Sequence, residues 1–212
     1  MNIVNITIIL SIIIQLITGI VGLDGFRYKL NPKDLILKDI LSLETGVQFL
    51  ELLFYILFAL INIPLDSLAG IRYYDWLFTT PTMLISSMMY FAYINNEETK
   101  KEILTTKSFF QKNIKSIILV VIFNTLMLAV GFMGEIKLVS MLFGLISGFI
   151  FFAISFYEMY KNNIKSLSSK SFPMFSILTI IWSIYGIIFP FNPVIKNTLF
   201  NILDLVSKNF YG

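Results

Sequence analysis

Apolar runs of about twenty residues recur seven times along this chain, and they constrain its fold more than any other feature. They lie near 2–22, 35–60, 71–93, 114–133, 137–159, 173–190 and 194–212. A bilayer core of roughly 30 Å takes about 20 helical residues. Lipid offers backbone N–H and C=O groups no partners, so each run is predicted to be helical. The expectation is an all-α integral membrane protein: one domain over residues 1–212, a seven-transmembrane-helix bundle, multi-pass in a cellular membrane. The breaks between runs are polar or carry Pro and Gly: "DGFRYKLNPKD", "NIPLDSLAG", "NNEETKKEILTTKSFFQKN", "GEIK", "YKNNIKSLSSKS" and "FNPVIKN". A mean hydropathy of +0.81, with 57% hydrophobic and 14% charged residues, suits lipid rather than water as the solvent. The first run follows Met1 almost at once with no basic segment before it, so no cleavable signal peptide is expected.

Composition also removes whole classes of chemistry. The chain has no cysteine and no histidine, which excludes disulfides, thiolate or imidazole metal sites and the usual pH switch. No metal, no nucleic-acid partner and no enzymatic activity are expected. The basic residues set an orientation. Breaks one, three and five carry Arg27, Lys29, Lys33 and Lys38; Lys100, Lys101, Lys107, Lys112 and Lys115; and Lys161, Lys165 and Lys170. The other side carries Arg72, Lys137 and Lys196. The positive-inside rule then predicts the N-terminus outside and the C-terminus inside.

Ionisable residues within the runs are expensive and therefore informative. The third run contains "RYYDWLFTTP", with Arg72 and Asp75 three residues apart. The seventh reads "KNTLFNILDLVSKNFYG", with Asp204 and Lys208 four apart, hence on one helix face, which Asn197 and Asn201 extend. A lysine facing an aspartate has two readings here: an ion pair that ties helices together, or a reactive amine with its counterion.

"RYYDWLFTTP" closely resembles the third helix of microbial (type 1) rhodopsins, and "LDLVSK" resembles that family's retinal-binding segment. "WSIYGIIF" and "NTLMLAVG" supply Trp182, Tyr185 and Phe189, and Asn124, Met127 and Gly131, at the family's pocket spacing. The resemblance covers essentially the whole chain. It implies all-trans retinal bound covalently to Lys208 as a protonated Schiff base. Asp75 and Asp204 would be counterions, Asp75 the proton acceptor, and Arg72 would stand on their outer side. Trp76, Thr80, Met83, Met127, Gly131, Trp182, Tyr185 and Phe189 would line the chromophore. Tyr55 would reach Asp204 from the second run. Met83 beside the polyene leans toward green rather than blue absorption. Four residues follow Lys208, fewer than the family's seventh helix carries; either the natural end is missing or the inner part of this helix is short.

Departures from the family pattern bear on activity. Outward proton pumps of the family carry a carboxylate eleven residues after the Asp75 position, where this chain has Ser86; their release glutamate is replaced by Lys196. Asp75 argues against the chloride-pump pattern, and Asp75, Thr79 and Ser86 differ from the sodium-pump pattern. In the second run Glu44, Gln48, Glu51 and Tyr55 are spaced four, three and four apart, one continuous face. Ser11 and Gln15 in the first run, and Asn197 and Asn201 in the seventh, can form facing stripes. Such a track suits a hydrated cation path; it could equally be interhelical glue, with hydrogen bonds below about 1 kcal/mol each. One group of viral rhodopsins, short relatives from giant viruses of algae that are regarded as light-gated cation channels, resembles this chain in length and second-helix glutamates. The expectation is a light-gated cation channel passing H+, Na+ or K+, in a host cell membrane if the source is viral, with homo-oligomers possible. The alternatives are a light-driven outward proton pump lacking an internal carboxylate donor, or a photosensor. Glu158 is expected to be an interfacial charge.

Overall fold

The computed structural model describes residues 2–99, 103–164 and 170–211. Lys100, Lys101 and Lys165, three of the basic residues counted for orientation, lie outside the described residues. Seven helices follow one another among the described residues: α1 (Ile3–Gly25), α2 (Ile36–Leu60), α3 (Leu65–Thr99), α4 (Thr106–Glu135), α5 (Met141–Asn163), α6 (Ser171–Ile188) and α7 (Pro193–Asp204). A 3₁₀ turn, Pro32–Asp34, leads into α2. The chain is all-helical and multi-pass, as its apolar runs require.

Helix starts follow local chemistry. Asn2, Ser140 and Asn192 accept the first free backbone N–H groups of α1, α5 and α7. Thr105 and Ser108 form a reciprocal capping pair at the start of α4. Pro193 takes the first position of α7, where its missing N–H costs nothing.

Burial is inverted relative to a soluble bundle. On α1 the exposed residues are Ile6, Ile9, Leu10, Ile13, Leu16, Ile17 and Ile20, while Ser11 and Gln15 are buried. Apolar side chains face lipid and polar ones face the other helices, as the bilayer demands. The α4–α5 contact is closer than side chains allow: a Cβ on Gly144 would lie 3.0 Å from the Val130 carbonyl oxygen and 3.2 Å from Gly134 Cα. Small residues let the two backbones touch, the usual route to helix association without a hydrophobic drive.

The seventh run is helical where it was expected but changes helix type along its length. Among the described residues six helices are long and apolar enough to cross a membrane, and α7, with 12 α-helical residues, is too short to count with them. It runs as α-helix only to Asp204 and continues as a π-helix over Leu205–Phe210, rather than as one regular span over 194–212. Lys196, Asn197, Asn201, Asp204 and Lys208 are all turned into the bundle. The π stretch carries Lys208 at its centre, and such widened turns cluster at functional sites. The third span is also longer than 71–93: α3 has 35 residues, with Pro81 inside it.

Candidate functional site

Lys208 is buried where α2, α3 and α7 meet. Its Nζ donates to Asp75 Oδ2 at 2.7 Å, and lies 3.4 Å from Glu51 Oε1 and 3.6 Å from Asp204 Oδ1. The two aspartates were expected. Glu51, assigned from sequence to the ion path alone, is a third carboxylate on the same nitrogen. Arg72 sits with Asp204 rather than Asp75: its Nη1 donates to Asp204 Oδ2 and to Tyr55 Oη, both at 3.0 Å. Tyr55 and Tyr185 each donate to Asp204 at 2.8 Å. Arg72 also hydrogen-bonds Asn201, and Asn197 Oδ1 lies 3.5 Å from its Nε. With every group ionised, three acids meet two bases, so the cluster carries one excess negative charge. Buried charges survive only with such dense partnering, and they titrate as one unit.

A largely apolar cavity of about 110 Å³ begins at Lys208 and Ser207. Its walls include Trp76, Thr80, Met83, Met127, Gly131, Trp182, Tyr185 and Phe189, so every lining residue named from sequence borders it. Asn124 holds Thr80 from outside, its Nδ2 donating to Thr80 Oγ1 at 2.8 Å. Phe149, Phe152, Gly144, Leu145, Gly148 and Gly186 on α5 and α6 add to the walls, with Tyr73, Leu128 and Phe200 from α3, α4 and α7. Those on α5 were missed, because an α5 rich in Phe and Gly reads as ordinary lipid-facing helix. At Gly186 an added Cβ would stand 2.5 Å from the Phe149 ring, so that ring occupies the room a side chain would take. A narrow apolar slot ending on a buried amine fits a long polyene aldehyde such as retinal. The Trp182 Nε1–H in its wall has no hydrogen-bond partner among the described residues.

The polar faces of α1, α2 and α7 meet as a seam. Glu44, Gln48, Glu51 and Tyr55 are all buried, as are Ser11, Gln15, Asn197 and Asn201. Ser11 Oγ donates to the Asn201 carbonyl at 3.4 Å. Asn201 Nδ2 donates to Thr7 Oγ1 at 2.7 Å. Asn209 Nδ2 donates to Glu51 Oε2 at 3.1 Å and its Oδ1 accepts from Thr18 at 2.6 Å. Gln48 Nε2 donates to the Lys208 carbonyl at 3.4 Å. Glu44 hydrogen-bonds Ser86 on α3. Gln15 is 1% exposed, and neither atom of its amide has a partner among the described residues. Thr18, Thr45 and Asn209 were not singled out from sequence; extending the Ser11–Gln15 spacing by three would have found Thr18.

At the α4–α5 and α6–α7 end, Lys196 Nζ meets both oxygens of Glu135 at 2.9 Å and lies 5.5 Å from the Phe189 ring centre. The sequence showed Lys196 only as a replacement; its buried partner comes from another helix. Glu158 lies near the end of α5 and accepts from Asn162 at 2.7 Å, a local contact that fits an interfacial position.

A sequence model of the family described as "Bacteriorhodopsin-like protein" matches residues 5–212. No curated protein sequence matches the chain significantly. The viral rhodopsin OLPVRII has a similar structure, with a TM-score of 0.83 at 24% identity over 99% of this chain and 93% of that one. So does a blue light-absorbing proteorhodopsin from Med12, with a TM-score of 0.73 at 22% identity over 98% of this chain and 92% of that one. A light-driven proton pump from Leptosphaeria maculans gives a TM-score of 0.70 at 14% identity over 100% and 93%. At these identities the three likenesses speak to the fold alone.

Proposed function

This chain belongs to the bacteriorhodopsin-like family of seven-helix membrane proteins, and from that premise we propose that it is a light-gated cation channel holding retinal on Lys208. The N-terminus is outside and the C-terminus inside, on the weight of the basic residues. One observation carries the channel reading: the polar seam of α1, α2 and α7 passes directly beside the Lys208 nitrogen, and Glu51 belongs to both.

Trp76, Thr80, Met83, Met127, Gly131, Trp182, Tyr185 and Phe189 would hold retinal, and Lys208 would bind it covalently. When bound, retinal absorbs visible light and isomerises, which displaces the positive charge at Lys208. The protein's own groups do the rest. Asp75, Glu51 and Asp204 hold that nitrogen in the dark, Asp75 at the shortest distance of 2.7 Å. Asp75 is the proton acceptor. Arg72 fixes Asp204 from the outer side. Once the nitrogen moves, Glu51 keeps only Asn209, and the links Thr18–Asn209–Glu51 and Gln48–Lys208 loosen together. Bare polar groups then favour water entry, and the carboxyl, amide and hydroxyl oxygens along the seam favour cations over anions. Glu44, Gln48, Gln15, Ser11, Asn197 and Asn201 supply oxygen partners along the way.

Photocurrents measured at several voltages and cation gradients test this. A channel current reverses with the electrochemical gradient, and Glu51→Ala changes conductance or selectivity. A current of fixed direction against a moderate gradient refutes the channel. It would favour the second reading, an outward proton pump, for which the Glu44–Ser86 hydrogen bond speaks: it brings an α2 carboxyl to the α3 position where such pumps carry one.

A further inference from the structure

Another cavity lies beyond the Arg72 end of the seam, where the start of α1 meets the α2–α3 connection. It measures about 370 Å³, and its lining includes Asn5, Ile8, Phe58, Asn62, Leu65 and Leu68. That is room for roughly ten waters at about 30 Å³ each. Asn5 and Asn62 are exposed, whereas Ile8, Phe58 and Leu68 are buried. The cavity therefore has an open rim and a closed floor. Side-chain amides at the rim donate and accept hydrogen bonds, which suits water better than lipid chains.

At Phe58 the floor is one side chain thick. This ring borders the cavity, and its centre is 5.0 Å from the guanidinium carbon of Arg72. Arg72 is 1% exposed, and the charge cluster begins with it. Phe58 packs with Val4, Ile8, Tyr55 and Leu68 in a small apolar cluster of its own. A second link leaves the cavity wall at Leu65, whose carbonyl accepts from Asn197 Nδ2 at 3.1 Å; Asn197 Oδ1 in turn lies 3.5 Å from Arg72 Nε. Apolar constrictions close water paths by dewetting, and a guanidinium is drawn to a ring face. The arginine that fixes Asp204 thus also holds the Phe58 ring.

We propose that this cavity is a water-filled outer antechamber, and that the Phe58 ring is the stopper between it and the charge cluster. Hydrated Na+ or K+ reaches the ring and stops there in the dark. The contacts couple the stopper to Lys208: its nitrogen lies 3.6 Å from Asp204, Asp204 is 3.0 Å from Arg72, and Arg72 faces Phe58. Displacing the charge at Lys208 takes a partner from Asp204, lets Arg72 shift and frees the ring. The part played in conduction rests on the channel reading; the antechamber and its barrier to small solutes do not.

The test uses the full-length, retinal-loaded protein in the dark. The chain has no cysteine, so an introduced thiol is unique. Leu68→Cys puts one on the cavity floor, and Ile8→Cys replaces it if that variant lacks the visible band. A positively charged, membrane-impermeant methanethiosulfonate should label this thiol. Labelling by an apolar maleimide alone, or by neither reagent, means that lipid chains or packed side chains fill the space, and overturns the antechamber. The stopper is probed with hydroxylamine, a small nucleophile that bleaches the pigment by attacking its bond to the lysine. Phe58→Ala should bleach severalfold faster than the parent, and Phe58→Leu should return toward the parent's rate. Phe54→Ala is the control: its ring centre is 6.2 Å from that of Phe58, but it does not line the cavity. A visible band at the parent's wavelength certifies that each variant is folded. Unchanged bleaching in Phe58→Ala, or equal acceleration in Phe54→Ala, overturns the stopper. Acceleration in Phe58→Ala alone, with parent photocurrents of fixed direction against a gradient, keeps the stopper and removes the channel.

Discussion

The two halves of this bundle solve opposite problems with the same helix lengths. On the α4–α5–α6 side the interior is rings and glycines: Phe149, Phe152, Phe156 and Trp182 pack around a dry slot, and Gly134 and Gly144 let backbones touch. On the α1–α2–α7 side the interior is amides, hydroxyls and carboxylates, with several atoms left without partners. Shape holds the first half together and hydrogen bonding the second. Lys208 is the charged residue that belongs to both, bordering the slot and sitting in the charge cluster, and Tyr185 joins it there by lining the slot and donating to Asp204. A dry half can hold a chromophore in one pose, while a half that is polar but incompletely satisfied can rearrange when its central charge moves.

Substitutions that act on one half and spare the other are the way to break this contrast. The largest effect is expected at the shared residue: Lys208→Ala should abolish the retinal-derived visible band altogether, read by absorption of purified protein supplied with all-trans retinal. Next, Arg72→Gln should cost about 3–5 kcal/mol by leaving buried acid uncompensated, seen as a lower unfolding midpoint; a loss under about 1 kcal/mol would mean that the polar half relaxes freely. Gly144→Leu on the shape-held side should cost about 1–3 kcal/mol through overpacking against Gly134 and, because Gly144 also borders the slot, should shift the visible band, while leaving the sodium-to-proton permeability at the parent's value. The smallest effect is expected from Thr18→Val, which removes the 2.6 Å bond to Asn209 for about 0.6 kcal/mol. It should speed the opening of the photocurrent rather than shift the visible band.

How much of this could be read from the chain depends on the kind of signal. Asp75, Arg72, Asp204 and Lys208 announce themselves because charge within an apolar run is rare, and a specific decapeptide surrounds two of them. The Glu44–Gln48–Glu51–Tyr55 face follows from helix period alone. Glu51's contact with Lys208 was not legible, because periodicity gives the face of one helix and not the depth at which another helix meets it. The Lys196–Glu135 pair was hidden for a related reason: each residue sits near a span end, where a charge ordinarily faces water. The π turn at Lys208 leaves no trace in composition or in the helical period.

The length of α3 has a mechanical consequence. Its 35 residues amount to roughly 50 Å at 1.5 Å per residue, well beyond the hydrocarbon thickness of about 30 Å. Pro81 deprives it of one internal hydrogen bond between the Asp75 turn and the far arm. That arm is lashed to the α1–α2 connection by Tyr93, which donates to Asp34 at 2.9 Å, and by Glu97, 3.8 Å from Lys33. The sixteen residue steps from Pro81 to Glu97 make a lever of about 24 Å. A pivot of about 5° at the proline would sweep its tip by about 2 Å, enough to break the Tyr93–Asp34 hydrogen bond at the loops.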